Sequence, residues 1–175
     1  MPRTAKPRAV PGALPLLLLL LAACACHADD ARTPLVGSWD LVAVENRGAD
    51  GSVERPFGDR PQGRITYTAD GFLSAHVMRA DRPPFATGGL YSGTQAEKAA
   101  AYDSYIAYYG SYTVDATART VTHGLAGSLF PNWSGTGQTR HYALDGDVLT
   151  LSTPPMERDG KPITVHVVWR RAAAP

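Results

Sequence analysis

The chain is expected to fold as an all-β, antiparallel protein, a sandwich or a barrel, and three observations predict this. Apolar and polar residues alternate with period 2 in about eight short runs, Gly, Asp and Pro separate those runs, and Asp-Gly pairs stand at 70–71 and 145–146. The period-2 runs are Val36–Asn46, Arg64–Thr68, Phe72–Arg79, Ser111–Asp115, Thr120–Ala126, Thr139–Leu144, Val148–Ser152 and Ile163–Arg170.

Three turns set the expected registers. A two-residue type I′ turn at Asp70-Gly71 pairs Tyr67 with Ser74 and Ile65 with His76, which puts Ile65, Tyr67, Phe72, His76 and Met78 on one face. The same turn at Asp145-Gly146 pairs Tyr142 with Leu149 and Arg140 with Leu151. A four-residue loop over Ala116–Arg119 places Tyr112, Val114, Val121, His123 and Leu125 together. Each apolar face thus carries one or two polar groups, as an interior that holds a ligand requires. One segment reads as an amphipathic helix. Thr94-Gln95-Ala96-Glu97 is a capping box, Lys98 to Tyr109 continues it, and Gly110 ends it.

The first residues differ in kind. Arg3, Lys6 and Arg8 precede an apolar run that contains Leu16 to Leu21. The run is too short to span a bilayer, which takes about twenty residues, and it has the form of an export signal. The expected organisation is a signal peptide over 1–23, a tether over 24–33 and one β domain over 34–171. Leu21-Ala22-Ala23-Cys24 resembles the lipobox of bacterial lipoproteins, which implies lipidation of Cys24 and attachment to the cell envelope. The other reading is an ordinary signal with an Ala-x-Ala-like cleavage site. Ala25 follows the cysteine where an aspartate would resemble an inner-membrane retention signal, so a periplasm-facing protein on the outer membrane is favoured.

Cleavage before Cys24 would remove three basic residues and no acid, leaving 14 Lys+Arg against 16 Asp+Glu. This leaves no electrostatic footprint for nucleic acid. The two cysteines, Cys24 and Cys26, both precede the β domain, so no disulfide or thiol chemistry is expected within it. The five histidines, His27, His76, His123, His141 and His166, are scattered, with no His-Glu-x-x-His or His-x-His. No metal and no cofactor is expected. A haem needs only one axial histidine, but nothing in the sequence calls for one.

Gly37-Ser38-Trp39 resembles the Gly-x-Trp signature of lipocalins. Longer stretches are similar to the bacterial and fungal lipocalin-like domain family: Leu35 to Trp39, Gly63 to Tyr67, Asp81 to Phe85, and Gly127 to Trp133. The resemblance spans about Leu35 to Arg170. It implies a closed antiparallel up-and-down β-barrel of about eight strands with one short helix, an architecture that can enclose a small molecule. It also implies a structural Trp39 at the closed end, stacked on Arg170 or Arg171 from the last strand.

The candidate site follows from the expected inner faces. Arg140 lies with Tyr142, Leu149 and Leu151, and its planar fork suits a carboxylate. The Arg-x-Tyr pair resembles the one by which fatty-acid-binding relatives hold a carboxylate. The alternatives for Arg140 are a buried aspartate partner, or an outward side chain after a bulge. His123, His76 and Tyr67 are either ligand contacts or satisfied core residues, and Asn132 and Trp133 either contact ligand or plug the mouth. The expected function is a membrane-anchored carrier of a small hydrophobic molecule, an acidic, fatty-acid-like one being a candidate. Two alternatives stand beside it. One is a cofactor-free isomerase or cyclase acting through His123, and the other is a non-catalytic envelope interaction module with a filled barrel. No nucleophile motif such as Gly-x-Ser-x-Gly is present.

Overall fold

The computed structural model describes residues 31–173. The expected export signal, Cys24 and the first part of the expected tether lie outside the described residues. The described chain runs β1 (Gly37–Gly48), β2 (Val53–Glu54), β3 (Gln62–Tyr67), β4 (Phe72–Met78), α1 (Gln95–Asp103), β5 (Tyr105–Asp115), β6 (Thr120–Ser128), a 3-10 turn (Pro131–Trp133), β7 (Gly137–Asp145), β8 (Val148–Ser152), β9 (Met156–Arg158) and β10 (Lys161–Arg171). Every pairing is antiparallel, and β10 returns to β1, so eight long strands close into an up-and-down barrel. The short strands β2 and β9 extend the wall at one end.

Closure leaves two faces per strand, and the inward one makes the core. Leu35, Trp39, Ile65, Tyr67, Tyr112 and Leu149 are buried at one end. Each such side chain contributes about 1.5–3 kcal/mol on burial. Trp39 donates its indole N–H to Leu35 O at 2.9 Å, and the Arg171 guanidinium stacks 4.0 Å from its ring. Arg171 also donates to Val36 O and Pro34 O. The stacking partner is therefore Arg171, whereas Arg170 pairs with Asp40 across the ladder and is exposed. Gly37 has φ 126°, and a Cβ there would stand 3.1 Å from the Arg171 guanidinium, which explains the glycine of the Gly-x-Trp stretch.

Two expectations fail at turns and one at the helix. The first hairpin has a three-residue loop, with Thr68 N–H donating to Phe72 O, Gly71 N–H donating to Thr68 O, and Gly71 at φ 92°. This is the type I turn plus glycine bulge of three-residue hairpins. Tyr67 consequently pairs with Leu73 and Ile65 with Ala75, one residue from the expected register. A one-residue slip exchanges faces, so Leu73, Ala75 and Val77 point inward while Phe72 and His76 are exposed. The second hairpin is displaced by two residues, with Tyr142 opposite Leu151 and Leu144 opposite Leu149, so the expected inward face survives.

The helix is capped as expected, with Thr94 Oγ1 accepting from Glu97 N–H and the Glu97 carboxylate from Thr94 N–H. It ends at Asp103, and Tyr105 to Tyr109 belong to β5, paired with β4. Aromatic and β-branched residues suit a half-buried sheet, and here pairing outweighs helix propensity. Gly110 is thus no helix terminator: a Cβ there would run into Gly124 O, where β6 bulges between Leu125 and Gly127. Arg82 secures the helix end, donating to Ser104 Oγ and Ala101 O and stacking 4.9 Å from the Tyr105 ring.

Arg171→Met is expected to lower the free energy of unfolding by about 1–3 kcal/mol, because it removes a stacked cation and two hydrogen bonds. Arg170→Met should change it by less than about 0.5 kcal/mol. Urea unfolding followed by tryptophan fluorescence measures both, and equal losses would contradict the assignment.

Candidate functional site

The side chains of the closed end fill the barrel only part of the way. Toward the other end lies a cavity of about 530 Å³, walled by Val44, Val77, Ile106, Leu151, Val165 and Val167. Phe57, Trp133 and the segment Pro154-Pro155-Met156 also line it. Trp133 is carried there by the 3-10 turn and packs edge-on against Tyr108 and Phe130, with centroids 6.2 and 5.7 Å away.

One wall of the cavity is polar. On β6, His123 is 1 % exposed and lies opposite Gln138 of β7 in the ladder. Its Nε2 is 2.7 Å from the Tyr67 hydroxyl and its Nδ1 is 3.3 Å from the Tyr108 hydroxyl. One ring nitrogen donates and the other accepts, so a neutral imidazole satisfies both contacts. Burial, with Arg140 adding to it, pushes the His123 pKa down to about 3. Burial also raises the Tyr108 hydroxyl to about 12 and the Tyr67 hydroxyl well above its ordinary value. All three groups are therefore uncharged at neutral pH.

Arg140 completes the wall. Strand alternation on β7 puts Gln138 and Arg140 on the cavity side, and Arg140 donates to Gln138 Oε1 at 3.1 Å and to Thr139 O at 2.9 Å. No carboxylate among the described residues forms an ion pair with it, and it is the only charged residue lining the cavity. Burial lowers its pKa from the ordinary arginine value. A partly desolvated guanidinium without a counter-ion is costly and attracts an anion or a strong acceptor.

The expected site residues divide accordingly. Arg140, His123 and Trp133 line the cavity, and Tyr67 stands behind His123 as its hydrogen-bond partner. Tyr142 packs against the core two residues nearer the closed end and does not line the cavity. Asn132 is exposed. His76 faces outward, where its Nδ1 meets the Tyr105 hydroxyl at 2.9 Å. Sequence reasoning missed Tyr108, Gln138, Asn46 and Trp169. Tyr108 falls in the stretch that reads as helix, Lys98 to Tyr109. Asn46 turns inward because β1 bulges between Leu41 and Ala43, which shifts the inward positions from Trp39 and Leu41 to Val44 and Asn46.

Because the folded His123 pKa lies below the ordinary 6.5, the unfolded chain takes up that proton first. The stabilisation is complete above the unfolded pKa and is lost as pH falls through this window. Its slope approaches about 1.4 kcal/mol per pH unit. His123→Gln should therefore reduce the stability difference between about pH 6 and about pH 5 by about 1 kcal/mol. Urea midpoints at the two pH values check this. An unaltered difference would mean that His123 titrates in water.

Comparison with known proteins agrees with this architecture. The family model described as "Lipocalin-like domain" matches residues 36–172. The 4'-hydroxy-3'-methoxypropiophenone carrier protein ppsC of Aspergillus oryzae (strain ATCC 42149 / RIB 40) is 37 % identical over 106 residues, 57 % of this chain and 96 % of the relative. No solved structure matches. With a closed eight-strand barrel and a family match over nearly all of the described chain, the protein belongs to the lipocalin-like domain family.

Proposed function

We propose that the protein binds and carries one small hydrophobic molecule, held inside the barrel with an acceptor group directed at Arg140. The observation that carries this reading is the pairing of an apolar 530 Å³ cavity with an arginine that has no acidic partner among the described residues. Pockets for small ligands are mostly apolar with a few convergent polar groups, and this volume falls within their usual range. Tyr108, in contact with His123, and Gln138, in contact with Arg140, stand ready to orient the same head group. A fatty-acid-like carboxylate fits the charge of Arg140. The name of the relative ppsC describes carriage of an aromatic ketone, whose carbonyl would meet the same donors as a neutral acceptor.

Holding is favoured over turnover. An imidazole with a pKa of about 3 is a weak base, and both its nitrogens are occupied by tyrosine hydroxyls. The interaction-module reading, for its part, asks for a filled barrel, which the cavity opposes.

We also propose that Cys24 carries the lipid anchor, on the strength of the leucine run and the lipobox-like Leu21-Ala22-Ala23-Cys24. The chain reaches the barrel at its closed end, where Arg32 stacks 5.7 Å from the Tyr112 ring. The cavity then opens at the pole away from the tether, a suitable orientation for exchanging cargo with the periplasm.

Titration with a fluorescent fatty acid should be saturable, with one molecule per chain. Arg140→Ala should weaken it at least about tenfold, the loss of one charge-assisted hydrogen bond. Unchanged affinity in that variant would remove Arg140 from the site. For the anchor, labelled palmitate should enter the full-length protein in a bacterial host and be lost with Cys24→Ala. Equal labelling of both would contradict it.

A further inference from the structure

The groups of the polar wall fix one another's protons. They lie on three consecutive strands, Tyr108 on β5, His123 on β6, and Gln138 with Arg140 on β7, and all four line the cavity. Tyr67, on β3, is 1 % exposed and stands outside the cavity lining. Its hydroxyl is 2.7 Å from His123 Nε2 and makes no other hydrogen bond among the described residues.

Burial keeps His123 neutral, so its ring carries one proton on one of two nitrogens. With the proton on Nε2, the ring donates to Tyr67, and the buried Tyr67 hydroxyl proton finds no acceptor. With Nε2 bare, Tyr67 donates to it and nothing at that end is left over. Leaving a buried hydroxyl proton unpaired is the costlier choice, so the ring proton belongs on Nδ1. Nδ1 is 3.3 Å from the Tyr108 hydroxyl, whose oxygen then accepts and whose own proton is left for the cavity.

Arg140 fixes Gln138 in the same manner. A guanidinium only donates, so the amide atom 3.1 Å from Arg140 Nη2 is the carbonyl oxygen. The two amide N–H groups of Gln138 are left without a partner among the described residues. The wall thus offers the O–H of Tyr108 and the N–H groups of Gln138 and Arg140. Its acceptors, His123 Nε2 and Gln138 Oε1, are already taken.

We infer that Tyr67, acting through His123, is a positioning residue that makes Tyr108 a donor, so that this wall selects head groups with acceptor oxygens and no N–H or O–H. Carboxylates and ketones qualify, whereas primary amides, alcohols and protonated acids do not. This selection rests on the carrier reading and adds to it the class of head group and the residue that sets it. A cargo N–H at this wall would face donors only and stay unpaired.

Nitrogen NMR spectra of protein isotopically labelled at histidine test the first step without any ligand. The His123 signals, identified by their absence from His123→Gln, should show a protonated Nδ1 and a bare Nε2. A proton on Nε2 would overturn the inference. In Tyr67→Phe, Nε2 loses its donor and the two tautomers should mix. A ring still protonated at Nδ1 alone would remove Tyr67 from its role.

Isothermal titration calorimetry tests the second step with 2-naphthoate, 2-acetylnaphthalene and 2-naphthamide, which share an apolar body and differ at the head. The ketone and the amide are both neutral and nearly equal in size, and the wild type should bind the ketone more tightly. In Tyr67→Phe the ketone-to-amide affinity ratio should fall about fivefold, because Tyr108 can then turn its proton to Nδ1 and offer the amide an oxygen. Comparing the ratio between the two proteins cancels the difference in hydration of the probes. An equal ratio in both would overturn the selection and leave the carrier reading intact. If neither 2-naphthoate nor the ketone binds the wild type, the carrier reading fails and the head-group class fails with it, while the spectra still decide the tautomer.

Discussion

The pairing of β10 with β1 turns a meander of antiparallel strands into a closed wall, and every other property of the molecule depends on that closure. A closed sheet has no free edges and only two environments for side chains. Inward residues from eight strands must either fill the lumen or line a space within it. At the Trp39 end they fill it, with two large aromatics, Tyr67 and Tyr112, packed edge to face at 4.7 Å. Toward the other end the inward side chains of Val44, Val77, Leu151, Val165 and Val167 leave a space unfilled. The Arg171 guanidinium, stacked on Trp39 and donating to the carbonyls of Pro34 and Val36, holds the incoming chain across the filled end. The cavity therefore has a structural floor at the Trp39 end.

Within that space the polar groups have been kept neutral, with one exception. His123 is held between two tyrosine hydroxyls, and burial keeps it from taking a proton at physiological pH. Arg140 reinforces this by repelling the imidazolium form and is in turn, among the described residues, the only charged group lining the cavity. A single fixed cation in a low-dielectric pocket favours an anion or the oxygen end of a strong dipole. In the proposed carrier role, that arrangement would recognise a head group without supplying an efficient base.

The barrel was legible in the sequence because alternation and turn chemistry are local. What the alternation could not resolve was parity. At Asp145-Gly146 the turn lies two residues from its expected register, an even shift that left Arg140 facing the lumen. At Asp70-Gly71 the shift is one residue, because Gly71 closes a three-residue loop, and His76 moved to the outer face. A bulge hid one further residue. Skipping Val42 turns Asn46 inward, and the close approach of Gly110 to Gly124 marks the bulge on β6. Tyr108 was missed for a different reason: a strong capping box at Thr94 invited a helix longer than the nine residues that form. Capping residues mark where a helix begins, while its end here is set by pairing with β4. Arg170 and Arg171 are adjacent, and only the inward one of the pair stacks on Trp39, a distinction that parity alone decides.

Entry of cargo into the lumen, where it would meet the polar wall, is open to one direct measurement. Intermolecular nuclear Overhauser effects between bound 2-naphthoate and methyl-labelled protein locate the ligand without any mutation. Contacts are expected to the methyl groups of Ile106, Leu151 and Val167, which line the cavity. Contacts confined to outward side chains such as Val42 and Leu129, with none to those three, would contradict it.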